Sequence, residues 1–164
     1  MAILVRKLDK KGWLRAEIAK ELGGLQADAL KNFKTTDNAL SVYRLDGDIV
    51  PLDRILAALA GTRDHLQEID YAMFDAELLK VHDIDTNDGP GETPDEEVNQ
   101  RHLNLIKLTA PKLCALISSI QARGTVARAA SKMVRNALLD SIHQARIKKD
   151  KLNARLIPRL EDEG

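Results

Sequence analysis

The segment Asp83-Ile-Asp-Thr-Asn-Asp-Gly-Pro-Gly-Glu92 divides the sequence into two parts of different character. It is rich in acidic residues, glycine and proline, and it has almost no apolar side chain to bury, which is typical of an exposed linker or loop. We therefore predict a small mixed α/β domain at residues 1–82, an acidic Gly/Pro linker at 83–94 and a basic helical region at 95–164. The predicted fold class is α+β and predominantly helical.

The part before this segment alternates between strand and helix patterns. Apolar residues recur with a period of two over residues 2–8 and 39–45, which predicts two strands, and we assign residues 69–74 as a third. Helical spacing over residues 13–22 and 52–60 predicts two helices that each end at a glycine. Short strands mixed with short helices indicate the small α/β domain.

The part after this segment shows three amphipathic helices, which we expect to form a C-terminal bundle. Thr93, Pro94 and Glu96 have the spacing of a capping box with proline in the first turn, which predicts a first helix that runs to about Leu108. A second helix is predicted over residues 112–122. A last, long helix is predicted over about residues 126–157, where apolar residues recur on one face.

The charge is unevenly distributed, although 25 basic and 25 acidic residues make the formal net charge zero. Residues 1–100 contain 12 basic and 20 acidic residues, and residues 101–164 contain 13 and 5. Such asymmetry favours either an anionic partner for the basic part or attraction between the two parts. Both alternatives stay open from the sequence alone.

Motifs of catalysis, cofactor binding and metal binding are not recognisable in the sequence, so we predict no catalytic, cofactor or metal site. The four histidines have no metal-binding spacing, and Cys114 lies among aliphatic residues as a core residue would. A lone cysteine gives no basis for an internal disulfide. No apolar run is long enough for a membrane span or a signal peptide, so we expect a cytoplasmic protein with no membrane partner.

Residues 15–31, Arg-Ala-Glu-Ile-Ala-Lys-Glu-Leu-Gly-Gly-Leu-Gln-Ala-Asp-Ala-Leu-Lys, resemble the helix-turn-helix of DNA-binding proteins. Ile18 and Leu22 take the packing positions of a first helix, and Gly23 takes the turn. The resemblance implies a recognition helix that begins near Gln26. It would make the protein a DNA-binding regulator.

The last predicted helix carries a second functional signal, because Arg128, Lys132 and Arg135 have the spacing of one helix face. Our preferred hypothesis is a non-enzymatic protein–protein interaction module, such as an adaptor, a complex subunit or a toxin-neutralising protein. Its partner would be a protein with an acidic surface or a second copy of the chain. The alternatives are a nucleic-acid-binding regulator and an enzyme whose site assembles from distant residues. The predicted partner-binding residues are Arg128, Lys132, Arg135, Leu138, Ile142, Arg146 and Lys149.

Overall fold

A computed structural model describes residues 2–161 of the chain. The fold is α+β with a six-stranded antiparallel sheet, and 23% of the residues are in strands and 46% in helices. The prediction of a predominantly helical fold with a C-terminal bundle of three helices is therefore wrong. The reason is that two segments assigned to helices, one on each side of the second predicted helix, are strands of this sheet.

The chain forms two compact units, and each is assembled from three separate segments. Both predicted domains, residues 1–82 and 95–164, contribute to each unit. We call the first the sheet unit and the second the helical unit. The sheet unit comprises Met1–Leu45, Asp70–Gly89 and His102–Arg128, and the helical unit comprises Asp46–Ile69, Pro90–Arg101 and Ala129–Gly164.

The sheet has the strand order β4-β5-β2-β1-β3-β6. The two strands predicted from period-two alternation are confirmed as β1 and β2, and the strand assigned to residues 69–74 is confirmed as β3. The register places Leu4 opposite Phe74 and Val42 opposite Leu103, so the apolar residues of neighbouring strands share one face. The strands are β1 (Ile3–Leu8), β2 (Leu40–Leu45), β3 (Ile69–Asp75), β4 (Asp85–Asp88), β5 (His102–Ile106) and β6 (Thr125–Ala129).

The helices are mostly short, and the longest is α5. Three further segments, Lys11–Leu14, Ala27–Phe33 and Lys149–Lys151, are 3-10 helices. The α-helices are α1 (Ala16–Leu22), α2 (Leu52–Gly61), α3 (Glu77–Val81), α4 (Glu96–Asn99), α5 (Ala110–Arg123), α6 (Ser131–His143) and α7 (Ile157–Glu161).

The last long helix predicted over residues 126–157 is divided into β6, α6 and shorter elements. Its first residues join the sheet next to β3, where tertiary pairing overrides the helical pattern. It ends early at Ala145, which has a φ of 56° and so cannot continue a right-handed helix.

The helix predicted from Thr93 is also much shorter than expected. Asp95 is its N-cap, with a carboxylate oxygen that accepts hydrogen bonds from the N–H groups of Glu97 at 3.0 Å and Val98 at 3.2 Å. The chain then enters β5, whose buried and partly exposed residues alternate with the period of a strand. The segment predicted as a linker contains β4, a strand of exposed polar residues that pairs with β5.

The core of the sheet unit lies between the sheet and α5. Leu116, Ile117 and Ile120 of α5 are fully buried and pack against inward-facing residues of the strands. These strand residues are Leu4, Leu8, Leu40, Val42, Ala72, Phe74, Leu103 and Leu105. The C-terminal end of β1 is thereby fixed to the core through Leu8, directly before the loop that leads to α1.

The core of the helical unit forms where α2 packs against α6 and the C-terminal segment. Leu138 of α6 joins a cluster with residues that follow the helix, including Ile147 and Leu156. The backbone N–H of Asn153 donates to the carbonyl of Gly61 at 2.9 Å, which fixes the C-terminal segment to the end of α2. The apolar stripe predicted on the last helix is therefore covered within the unit itself.

Gly124, which follows α5, lies in the sheet unit where an added side chain would overlap backbone atoms. A Cβ atom there would lie 2.7 Å from the carbonyl oxygen of Ile120 and 2.8 Å from that of Met73. We expect Gly124→Ala to lower the free energy of unfolding by about 2 kcal/mol, because backbone must move to relieve the overlap. Urea unfolding followed by circular dichroism measures this. The control is Gly24→Ala, which has no atom within 4 Å of the added carbon, and an equal effect in both variants would contradict the prediction.

Candidate functional site

The loop between β1 and α1 borders a cavity of about 450 Å³ in the sheet unit. Basic side chains dominate its walls, and no acidic residue is among the described residues that line it. We call it the basic cavity. Its lining residues are Lys10, Lys11, Gly12, Leu14, Arg15, Val126 and Arg128.

Buried polar side chains hold both ends of this loop. The amide of Asn32, only 1% exposed, accepts from the N–H of Lys10 at 2.8 Å and donates to the carbonyl of Lys10 at 2.9 Å. At the other end, the amides of Gln26 and Gln121 donate to the carbonyl of Arg15 at 3.2 and 3.0 Å. The backbone that carries the basic side chains is thus fixed before any ligand arrives, which lowers the entropic cost of binding.

Asp70 orients the basic side chain that reaches the cavity from β6. Its carboxylate, 5% exposed, accepts from Nε of Arg128 at 2.7 Å and from Nη2 at 3.0 Å. It also accepts from the N–H of Lys11 at 2.7 Å. Burial opposes ionisation of Asp70, but the hydrogen bonds from Arg128 and Lys11 outweigh it and hold the pKa below its ordinary value. Asp70 therefore acts as a positioning residue that joins the loop to β6.

The lowered pKa of Asp70 predicts a pH-dependent contribution to stability. The carboxylate stabilises the folded state above its unfolded pKa of about 3.9, and this contribution is lost as the pH falls through the lower folded value. We expect Asp70→Asn to lower the free energy of unfolding by about 2 kcal/mol at neutral pH, a value limited by screening because Arg128 is 40% exposed. The loss should become progressively smaller in acid, because the wild-type carboxylate is then protonated as well. Urea unfolding of both proteins across this pH range measures the difference. A cost that is independent of pH would contradict the prediction.

Trp13 lies in the same loop, and its ring is engaged by two ammonium groups. Nζ of Lys10 lies 5.9 Å and Nζ of Lys31 lies 5.4 Å from the ring centroid. Both are cation–π contacts, so the ring is occupied and does not offer an open platform for base stacking. Trp13 is the only tryptophan of the sequence, so its fluorescence reports on this loop alone.

The arrangement is suited to anion binding. Lys10, Lys11 and Arg15 form no ion pair with any residue between 2 and 161, and Arg128 is held in place by Asp70. Positive charges around one cavity attract an anion, and little conformational change is needed when the backbone that carries them is already fixed. The described lining residues are four basic side chains, two aliphatic side chains and one glycine.

The structure separates the three basic residues that the sequence placed on one helix face. Arg128 belongs to β6 in the sheet unit, and Lys132 and Arg135 belong to α6 in the helical unit. Lys132 is exposed and Arg135 is partly buried. The three positions therefore do not share one helix face, because the strand ends before α6 begins.

The remaining predicted residues divide between the core and the surface of the helical unit. Leu138 is fully buried, and Ile142 is partly buried against the same cluster. Arg146 and Lys149 are exposed beyond the end of α6, and Nζ of Lys149 lies 3.4 Å from a carboxylate oxygen of Glu161. The two apolar residues are therefore occupied within the fold, and the two basic residues remain at the surface.

Arg146 borders a larger cavity of about 630 Å³ in the helical unit, which we call the mixed cavity. Arg54 and Asp95 form a buried, bidentate ion pair at this cavity, with Nε to Oδ2 at 2.7 Å and Nη2 to Oδ1 at 3.0 Å. Arg54 also contacts Glu97, and the hydrogen bond to Asp95 raises the pKa of Arg54. Acidic residues line this cavity beside basic ones, so it has no preference for one sign of charge. Its charged lining residues are Asp48, Arg54, Asp95, Glu96, Glu97, Arg146, Lys148 and Lys151.

In the segment that resembles a helix-turn-helix, the helix that follows the turn is a 3-10 helix. After α1 and Gly23, residues Ala27–Phe33 form a 3-10 helix, and its Asn32 and Phe33 are buried. Asn32 is used to hold the backbone of Lys10. A short 3-10 helix therefore occupies the position at which the resemblance implies a recognition helix.

Sequence reasoning missed three of the four basic residues of the basic cavity. Lys10, Lys11 and Arg15 stand close together before α1, and this short basic run beside Gly12 is a signal that could have marked them. Their connection to Arg128 through a buried carboxylate depends on strand pairing, which no local spacing contains.

Comparisons with known proteins identify no relative: no family model, no curated protein and no solved structure matches the chain. Among residues 2–161, no three histidine, cysteine, aspartate or glutamate side chains converge to hold a metal ion. Over the same residues, every helix is too short or too polar to cross a membrane.

Proposed function

We propose that this protein is a non-enzymatic interaction module that binds an acidic segment of a partner protein at the basic cavity. The observation that carries this proposal is the fixed backbone beneath Lys10, Lys11 and Arg15. Buried Asn32 and Gln26 hold this backbone through hydrogen bonds, whereas the basic side chains above it have no ion-pair partner among the described residues. A partner carboxylate would supply the missing counter-charge.

Carboxylates of a protein match this cavity better than a nucleic acid does. Arg15 presents a planar guanidinium group that can pair with a carboxylate through two hydrogen bonds, and Arg128 adds positive charge while it remains bonded to Asp70. The chain as a whole has a pI of about 6.9, whereas nucleic-acid-binding domains are usually strongly basic. The nearest aromatic ring, Trp13, is already engaged by two lysines. These features favour a compact acidic segment over a phosphate backbone with stacked bases.

The test compares two anionic probes of equal length, a fluorescein-labelled hexaglutamate peptide and a labelled hexathymidylate. Fluorescence anisotropy follows each titration at about 50 mM and about 300 mM salt, a range over which the screening length shortens markedly. We expect saturable binding of the peptide that weakens with salt and exceeds that of the oligonucleotide. Tighter binding of the oligonucleotide would favour the nucleic-acid-binding alternative. No saturable binding of either probe would contradict anion binding at this cavity.

A further inference from the structure

A second basic cavity of about 360 Å³ lies in the helical unit, and we call it the α6 cavity. Three of its lining residues, Lys132, Arg135 and Arg159, carry a positive charge at neutral pH. No carboxylate is among the described residues that line it. Its full lining consists of His65, Leu66, Ser131, Lys132, Arg135 and Arg159.

Elements that belong to the core of the helical unit hold the walls of this cavity. Leu66 packs against the hydrophobic cluster of that core, and Leu160, the neighbour of Arg159 on α7, is part of it. Val134, between the two basic residues of α6, is fully buried. The basic side chains therefore project from two anchored helices, α6 and α7, and their convergence on one cavity is a product of the fold.

Lys132 and Arg159 are the two exposed cations of the α6 cavity. Lys132 and Arg159 form no ion pair with any other residue in the part of the chain that the structure describes. Like charges that face one another across a small cavity repel, and this raises the free energy of the folded state. A bound anion would remove that repulsion. The hydroxyl of Ser131 adds a hydrogen-bond donor to the same wall.

We infer that the α6 cavity binds a phosphoryl group, either as inorganic phosphate or as a phosphate ester on a larger ligand. Phosphate is a compact anion of up to two charges, and its oxygens accept hydrogen bonds from guanidinium, ammonium and hydroxyl donors together. Arg135 and Arg159 supply guanidinium groups, whose planar shape suits phosphate oxygens. The volume of about 360 Å³ is large enough for a phosphoryl group together with part of an ester that carries it. This inference does not depend on the function proposed for the basic cavity.

The experiment is a titration of the ¹⁵N-labelled full chain with inorganic phosphate, at constant ionic strength maintained with chloride. We expect saturable amide shifts at residues 131–135 and 159, and a higher melting temperature in phosphate than in chloride. A parallel titration uses a short phosphoserine peptide, with the serine peptide as its control. Stronger binding of the phosphopeptide identifies an ester as the ligand, and binding of inorganic phosphate alone identifies the free ion. Shifts that do not saturate, or that are confined to the sheet unit, would overturn the inference.

Two matched variants assign the effect to the cavity. Lys132→Gln combined with Arg159→Gln removes two exposed basic side chains, and we expect phosphate affinity to fall at least about tenfold. The same variant should melt at an equal or higher temperature than the wild type in chloride, because like-charge repulsion is relieved. Arg155→Gln removes an exposed cation that pairs with Asp64 outside this cavity and should keep the phosphate response. Unchanged affinity in the double variant would contradict the assignment.

Discussion

Replacement of Asp95 by asparagine is expected to lower the free energy of unfolding by about 3 kcal/mol, the largest loss that a single polar substitution should cause in this protein. The side chains of Asp95 and Arg54 are 1% and 7% exposed, so removal of the carboxylate charge leaves a guanidinium buried without its main counter-charge. Asparagine keeps the size of the side chain and an oxygen that can cap α4. The loss therefore measures the ion pair and not the cap.

A double-mutant cycle separates these contributions. In an Arg54→Leu background the buried cation is absent, and Asp95→Asn should then cost less than about 1 kcal/mol. Glu97→Gln is the matched control, because Glu97 contacts the same guanidinium but is half exposed, and it should cost under about 1 kcal/mol. Chemical denaturation of the four proteins gives the coupling. Equal costs of Asp95→Asn in both backgrounds would show that the ion pair contributes nothing.

The second large effect concerns binding. We expect Lys11→Glu combined with Arg15→Glu to weaken binding of the hexaglutamate peptide at least about 100-fold, since two charge-assisted contacts are replaced by repulsion. Both side chains are exposed, and only their backbone groups bond to Asp70 and to the glutamine amides. The fold should therefore be retained. Far-ultraviolet circular dichroism and the fluorescence of Trp13 check this.

The matched control is Lys80→Glu, an exposed lysine of the sheet unit that pairs with Glu77 on α3. This substitution also replaces a positive charge by a negative one, but Lys80 lies outside the lining of the basic cavity. We expect its effect on peptide affinity to be less than about threefold, because exposed charges farther than a screening length contribute little. An equal loss of peptide affinity in the control would show that net charge alone causes the effect, and it would contradict a local binding site.

Local patterns were sufficient where a segment has one strong period and a clear end. The strands β1 and β2 alternate with period two, and α2 and α5 lie within two residues of the helices predicted from apolar spacing and terminal glycines. In these segments the local preference and the tertiary packing agree, so the sequence alone predicts them.

Predictions failed where tertiary pairing decided between helix and strand. Residues of β5 follow a helix start at Asp95, and continuation of that helix was expected, but Leu103 and Leu105 bury one face of a strand between β4 and β2. β6 likewise joins β3 although its residues fit an amphipathic helix. An apolar residue every second position over five residues does not distinguish the two states without the partner strand.

The charge asymmetry of the sequence has a structural explanation in the helical unit. Acidic segments 46–69 and 90–101 belong to the same unit as the basic segment 129–164. Counted by unit, the sheet unit has 14 basic and 11 acidic residues and the helical unit has 11 and 14. The large imbalance between the two parts of the sequence is thus mostly compensated within each unit. A partner is then sought at local clusters such as the basic cavity rather than along the C-terminal part.

The basic cavity itself was only partly accessible from sequence. Arg128 was predicted to contact a partner, but as part of a helix, and the residues that position the loop were unremarkable in the sequence. Asn32 and Asp70 are distant along the chain from the loop they hold, and their role depends on hydrogen bonds of the folded state. Buried polar residues that bond to a distant backbone leave no local pattern to recognise.

Binding of an acidic protein segment at the basic cavity is best tested by mapping where such a segment contacts the chain. The ¹⁵N-labelled protein is titrated with hexaglutamate, and the amide shifts of every residue are followed. We expect saturable amide shifts at residues 10–15 and 126–128, together with a change in the indole signal of Trp13. Saturable shifts at other positions, or none at these, would contradict it.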